Sequence, residues 1–306
     1  MALNGKRILL TGASSGVGWE AAKKLAKAGA VLAVSARREE RLQTLAAEIG
    51  REGGAVPHVL PADLSQRGEA ARLAQAATEA LGQVDILVNN AGSTMQGLTW
   101  VAGDGDEARA QFETNVWSPL ALIAGLVPAM ISRGEGIVVN IGSMARVSAF
   151  PHLGHYSASR AAEAALSHMM ALELGPRGVR VVELDFGVID TAASQEVRQI
   201  TGVEHWLDGP VGLGSAERAA DAIVNAVNAQ KSGFAFYPRA LKWIDRFPAL
   251  GRRFTKRISK HADLTSTVIR DGGAQGGDVT RELREHGKAA IPLSLSTVNS
   301  EKAQAR

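Results

Sequence analysis

Between residues 7 and 184, short and almost wholly apolar runs alternate with helical stretches, and that alternation admits few folds. The runs are Arg7 to Leu10, Ala30 to Ser35, Val56 to Leu60, Asp85 to Val88, Ile137 to Ile141 and Val179 to Leu184. Helical stretches separate them at Glu20 to Ala28, Arg38 to Ile49, Arg67 to Leu81, Asp106 to Ser132 and Tyr156 to Leu174. A strand too apolar to spare one face for water is buried on both, so the pattern predicts an α/β protein: a parallel sheet with helices on either side. A further helix from Ser215 to about Gln230 and a short strand, Phe234 to Tyr237, complete the main domain, expected to span 1–237. Residues 190–214 hold five glycines or prolines and are expected to be irregular.

Composition narrows the function classes. The 306 residues include no cysteine, which excludes disulfides, a thiolate nucleophile and a cysteine-ligated metal; no metal site is expected. The N-terminus lacks the pattern of a signal peptide, and no run approaches the roughly 18 apolar residues of a membrane span. A cytoplasmic protein is the expectation. The net charge of +3 is mild, and its surplus is local: Arg239 to Lys260 carries eight Lys/Arg against the single Asp245. Apolar residues at 243, 244, 247, 250, 254 and 258 interleave those cations at mostly helical spacing, broken near Pro248. Residues 238–271 therefore read as a basic amphipathic extension. It either packs on the domain's own pocket with a solvated basic face or makes a peripheral contact with an anionic membrane. No nucleic-acid module accompanies the charge, and none is expected as a partner. Residues 272–306 read as a disordered tail.

The first strand runs into Gly12, Gly16 and Gly18, with a helix after them. Glycines there allow a tight turn and let backbone N–H groups at the helix N-terminus approach a pyrophosphate, with Ser14, Ser15 and Val17 between them at the same site. No acid ends the second strand to bond a ribose diol; Arg37 and Arg38 stand there, and paired guanidiniums suit a 2′-phosphate. NADP is expected in preference to NAD. Asp63, followed by Leu64, either meets the adenine edge or caps the next turn. Tyr156 and Arg160, four apart on one helical face, set a cation beside a phenol in the manner of a tyrosine acid/base.

Thr11, Gly12, Gly16 and Gly18, then Asn89-Asn90-Ala91-Gly92, Asn115, Ser143 and Tyr156, in this order and spacing, closely resemble the short-chain dehydrogenase/reductase family over about residues 5 to 237. The resemblance implies a Rossmann-type doubly wound sheet in a three-layer αβα domain and hydride transfer between a nicotinamide cofactor and a carbonyl or alcohol. It implies that Tyr156 exchanges the proton at the substrate oxygen, that Ser143 polarises that oxygen and that Asn115 holds a water in a proton relay. Asn89, Ala91 and Gly92 would line the cofactor crevice, and Gly187, Ile189 and Thr191 would meet the nicotinamide end. Two positions depart from the family pattern. Arg160 replaces a lysine that clamps the nicotinamide ribose, and Phe186 replaces a proline before Gly187.

Met95, Trp100, Val147, Phe150, His152, Val203, Trp206 and Leu207 are the apolar and aromatic candidates around the substrate, with Arg146 and His155 as candidate receptors for an acidic group. The expected reaction partner is an apolar carbonyl or secondary alcohol. The rival reading, raised by Arg160 and Phe186, is a cofactor-binding scaffold or sensor without catalysis. Small residues along the tyrosine helix, Ala158, Ala161, Ala162, Ala164 and Ala165, predict a homodimer or homotetramer, with Phe112, Val116, Leu120 and Ile123 of the preceding helix supplying bulk.

Overall fold

The computed structural model describes residues 3–148, 150–201, 212–258 and 270–271. Seven parallel strands form the main sheet: β1 (Arg7–Thr11), β2 (Val31–Ser35), β3 (His58–Val59), β4 (Ile86–Asn89), β6 (Gly136–Ser143), β7 (Val179–Phe186) and β10 (Gly233–Tyr237). Their spatial order is β10-β7-β6-β4-β1-β2-β3, so the chain winds outward from β1 through β2 to β3 and then crosses to β4 on the other side. Between β1 and β4 the winding reverses. A crevice opens there beyond the carboxyl ends of the strands, the place where open α/β sheets bind ligands.

Helices α1 (Gly16–Lys27), α2 (Glu39–Arg51) and α9 (Ala216–Val227) cover one face; α3 (Glu69–Leu81), α6 (Ser118–Arg133) and α7 (Gly154–Leu174) cover the other. Strand residues divide between the two layers by pleat. Ile8 and Leu10 pack under the first group and Leu9 under the second; Ile137, Val139 and Ile141 face one way and Val138 the other. That is why the runs are apolar throughout.

Differences from the sequence expectations are local. The third strand shrinks to His58–Val59 at the sheet edge, where it has a neighbour only in β2. Asp106 to Ser132 is not one uniform helix: α5 (Asp106–Phe112) passes through a π-helical turn at Glu113–Trp117 into α6. Asp106–Arg133 is also long and apolar enough to cross a membrane by length and composition, with a mean hydropathy of 1.5 over an 18-residue window, against the expectation of no such stretch. Here it serves as a core helix: Leu122, Leu126 and Met130 are buried against α3 and the sheet. The segment expected to be irregular contains β8 (Ile189–Asp190), α8 (Ala192–Thr201) and β9 (Gly214–Ser215).

Beyond Tyr237 the extension forms α10 (Lys242–Arg246) and α11 (Pro248–Ile258), then β11 (Arg270–Asp271). β11 pairs antiparallel with β5 (Met95–Gln96), which sits just past the carboxyl end of β4; α4 (Thr99–Ala102) follows it. The chain thus returns to the mouth of the crevice. The tail expected at 272–306 lies outside the described residues.

Candidate active site

The turn after β1 and the end of β4 are built against each other. Gly12 and Gly16 adopt φ of 70° and 56°, left-handed values natural to glycine. A Cβ on Gly12 would lie 2.8 Å from both Ala91 Cα and Asn90 Nδ2, and one on Gly18 would strike the Gly12 carbonyl. Asn90 Nδ2 donates to the carbonyls of Thr11 (2.9 Å) and Gly12 (3.2 Å), while Thr11 Oγ1 accepts from the N–H groups of Asn90 and Ala91, each at 3.0 Å. The turn is thereby fixed without using the first N–H groups of α1, whose N-cap Ser15 makes no side-chain capping bond. Those donors and the positive helix end fit a pyrophosphate.

At the end of β2 the two arginines separate in role. Arg37 is exposed, whereas Arg38 Nη2 donates to both Ser14 Oγ and Ser15 Oγ at 3.1 Å. Arg41, missed by sequence reasoning, joins them. Its Nε donates to the Ser14 carbonyl at 3.4 Å and its guanidinium lies 4.6 Å from the Trp19 ring centroid. The buried Ser35 hydroxyl beside this cluster has no partner. Asp63 Oδ1 accepts from the N–H (3.1 Å) and hydroxyl (2.8 Å) of Ser65, so its carboxylate closes the turn that follows it. Leu64 is buried in the core, and its carbonyl accepts from Ser118 Oγ at 2.8 Å. Asn89 is corrected outright: its Nδ2 donates to Asn140 Oδ1 at 2.9 Å inside the sheet, and the neighbouring Asn90 lines the crevice instead.

A cavity of about 340 Å³ occupies the crevice, with Val17, Asn90 and Gly92 on one side and Ser143, Tyr156 and Arg160 on another; Gly187, Ile189 and Thr191 close the end. Ser143 ends β6, and its Oγ accepts from the Ala145 N–H at 3.2 Å. Tyr156 stands in the first turn of α7 with the Arg160 guanidinium carbon 5.4 Å from its ring centroid. Asn115, in the π-helical turn, is fully buried. Its Nδ2 donates to the Ser93 carbonyl (2.9 Å) and Ser159 Oγ (3.0 Å), and its Oδ1 accepts from the Ser93 N–H (2.8 Å). Ser159 in turn donates to the Tyr156 carbonyl at 2.9 Å, so Asn115 is a strut under the tyrosine turn. Its side chain is thus occupied within the protein, so the expected holding of a water by that side chain is not what this geometry shows.

The remaining wall is mainly apolar, with Ile141, Met144, Phe150, Leu153, Phe186, Val188, Leu241 and Ile244, and it also holds Thr94, Ser148, Ser194, Arg198 and Thr201. Phe186 packs edge-to-face on Tyr237 with centroids 6.2 Å apart. Leu241 and Ile244 come from the C-terminal extension, which therefore forms part of the pocket. On its outer side Trp243 and Phe247 stack at 6.3 Å and are exposed, beside the exposed Lys242 and Arg246. Met95 is buried beside β11 and Trp100 is exposed, so neither lines the cavity; Val203, Trp206 and Leu207 lie outside the described residues.

Sequence reasoning missed a buried ionic cluster beneath this wall. Arg160 is 6% exposed, and its Nη1 donates to the Ile141 carbonyl (3.0 Å) and to Glu163 Oε2 (2.5 Å). From β7, Glu183 and Asp185 enter the same layer; a Cβ on Gly142 would collide with Glu183 and lie 2.5 Å from Asp185 Oδ1, so the glycine makes room for both acids. Arg146, expected to be solvated or to bind substrate, does neither. It is tied by its Nε to Asp185 (2.8 Å) and by Nη2 to Asp245 of α10 (2.5 Å). His155 likewise sits on the Gly103 carbonyl at 2.6 Å. Burial raises Glu163 to about 7 against the pull of Arg160, and burial together with Glu163 and Asp185 lifts Glu183 well above the ordinary glutamate range. Burial opposes charge on Arg160, but the fields of Glu163 and Tyr156 outweigh it and its affinity for the proton rises. The available signals were Glu163, one turn beyond Arg160 on the same face, and two acids two residues apart in an otherwise apolar strand.

The model of the short chain dehydrogenase family matches residues 6–201. A fatty acyl-CoA reductase of Mycobacterium tuberculosis is 33% identical over 258 residues, 84% of either chain. Among solved structures, a 7α-hydroxysteroid dehydrogenase complexed with NADH and 7-oxoglycochenodeoxycholic acid superposes with a TM-score of 0.70 at 31% identity, covering 76% of this chain and 93% of that one. A metagenomic short-chain oxidoreductase in complex with NADP gives 0.64 at 28% identity, covering 77% and 96%. The family match takes in the glycine turn, the crevice and the tyrosine helix alike, and the likeness to the mycobacterial reductase continues well beyond it. The chain belongs to the short-chain dehydrogenase/reductase family.

Proposed function

We propose that this NAD(P)-dependent oxidoreductase prefers NADP and interconverts a large, mainly apolar carbonyl compound and its secondary alcohol. The observation that carries the reading is the cavity itself, where Tyr156, Ser143 and Arg160 stand in a mainly apolar lining whose other polar members are Asn90, Thr94, Ser148, Thr191, Ser194, Arg198 and Thr201. The nicotinamide, when bound, supplies or accepts the hydride. Tyr156 delivers or takes the proton at the substrate oxygen, Ser143 Oγ bonds and polarises that oxygen, and Arg160 places positive charge beside the phenol. Leu241 and Ile244 keep water from the reacting carbon. One similar protein is named a fatty acyl-CoA reductase and another is complexed with an oxo bile acid, both carbonyl compounds with much apolar surface, which accords with this lining.

Support for NADP lies in Arg38, held at the glycine turn by two serine hydroxyls, with Arg37 and Arg41 beside it and no acid at the end of β2. In assembly the protein is a homodimer or homotetramer, working in the cytoplasm. The exposed Trp243–Phe247 pair and its flanking cations give α10 the character of a peripheral contact with anionic lipid. Salt-sensitive sedimentation with anionic liposomes tests that contact, and indifference to them at low salt removes it.

The central experiment is a screen of the protein with NADPH or NADP against long-chain aldehydes, hydrophobic ketones and secondary alcohols, followed by nicotinamide absorbance. Turnover of apolar substrates, abolished in Tyr156→Phe, is expected. Silence across the screen, or turnover confined to sugars and small hydroxy acids, overturns the substrate assignment.

A further inference from the structure

We infer that Glu163 is a positioning residue that divides the Arg160 guanidinium between two tasks, spending one amino group in the helix–sheet seam and presenting the other at Gly92 for the cofactor. The inference rests on the cofactor reading above and concerns how this chain meets it.

The geometry has three parts. First, Nη1 is anchored on two acceptors, Glu163 Oε2 at 2.5 Å and the Ile141 carbonyl at 3.0 Å, both buried. Second, Nη2 lies on the opposite edge of the plane, where a Cβ on Gly92 would collide with it; Gly92 and Arg160 both line the cavity. Third, Nε is buried with no hydrogen-bond partner among the described residues, so orientation depends on the Nη1 anchor and on the neighbouring Tyr156. Glu163 is itself 4% exposed. Its carboxylate makes this one ion pair, one helical turn along the same face.

A planar guanidinium has separate donor edges and can serve two directions at once, which a point-like ammonium cannot. Without Glu163 the cation keeps a single carbonyl for an anchor and faces two further buried acids, Glu183 and Asp185, deeper in the seam. Both carry electrostatic influence at Arg160 or Glu163. Either acid would draw the side chain away from Gly92. Lysine in place of Arg160 meets the converse problem: its one ammonium is claimed by Glu163, and nothing reaches the Gly92 side. Neutralising position 163 should then release it.

The test is a cycle of Glu163→Leu, Glu163→Gln, Arg160→Lys and the two double variants, read as NADPH dissociation constants from nicotinamide fluorescence, with cofactor-free melts to verify folding. Glu163→Leu and Arg160→Lys should each weaken NADPH about tenfold, a size typical of direct coupling. Arg160→Lys/Glu163→Leu should return to within about threefold of the parent. Glu163→Gln, which keeps an acceptor oxygen, should lose less than Glu163→Leu. A purely structural pair would change the melts and leave NADPH binding in Glu163→Leu parent-like; that result, or losses in NADPH binding that simply add, overturns the inference. If Glu163→Leu does not melt cooperatively, Arg160→Lys against Arg160→Lys/Glu163→Gln decides: no recovery in the double variant rejects the positioning role. A parent that binds neither NADPH nor NADH removes the cofactor reading and this one with it. A parent that binds, with additive losses, removes only this one.

Discussion

Tyr156→Phe deletes one oxygen and leaves the ring in place. Because a positioned general acid contributes about 10²- to 10⁴-fold, turnover should fall by at least about a hundredfold while NADPH affinity stays within about threefold. Loss of affinity as large as loss of turnover would show that the phenol holds cofactor and does not transfer protons. Arg38 is the corresponding test at the other end of the crevice. If it grips a 2′-phosphate, Arg38→Ala should weaken NADPH by about 10-fold or more and leave NADH nearly unchanged, since charge-assisted bonds to phosphate exceed neutral ones. Equal losses for both cofactors would mean that Arg38 only braces Ser14 and Ser15. Arg37, exposed and free to move, is expected to contribute less than the two were expected to share.

At the scale of elements, β7 carries a cost that the other strands do not. Glu183 is buried among Glu163 and Asp185, and the folded protein holds its proton at pH values where the unfolded chain has released it. For such a raised group the stabilisation is complete below the ordinary glutamate range and is lost as pH rises toward the folded value. The parent should therefore become less stable as pH rises above the ordinary glutamate range, and Glu183→Gln, which mimics the protonated acid, should flatten that decline. Its Tm should exceed the parent's at pH 8, by roughly 2–4 °C for each kcal/mol regained, with the gap closing by pH 5. Parallel profiles would place the titration elsewhere. The same layer couples the extension to the catalytic wall, because Arg146 bridges Asp185 of β7 to Asp245 of α10.

For the whole molecule the open question is assembly. Along α7, Ala158, Ala161, Ala165, Met169 and Leu172 are exposed at helical spacing, and on the adjoining helix Trp117 is 56% exposed. Val116, Ile123 and Ala164, by contrast, are buried in the domain and cannot supply the interface surface expected of them. A small-residue stripe ending in Met169 and Leu172 suits a two-fold helix pairing. Light scattering at micromolar concentration should give a dimer or tetramer, and Leu172→Glu should shift it toward monomer. A monomeric parent would reject the interface.

Much of this protein was legible one residue at a time. The apolar runs dictated a doubly covered parallel sheet because a strand without a polar face has no other place to go; the glycine turn and the Tyr156–Arg160 pair could be read from their immediate neighbours, whereas Ser143 came from the family resemblance. Long-range pairings were not legible. Asn89 and Asn90 are equivalent in sequence, and the pleat alone sent one into the sheet and the other to the crevice. Nothing local tells that Arg146 will find Asp185 and Asp245 across the fold, and although packing of the extension on the pocket was one of two readings, which of its residues reach the cavity, Leu241 and Ile244, was not legible. Those choices belong to tertiary structure because a buried charge takes whichever partner the packing brings within reach, and an apolar face covers whichever cavity the chain returns to.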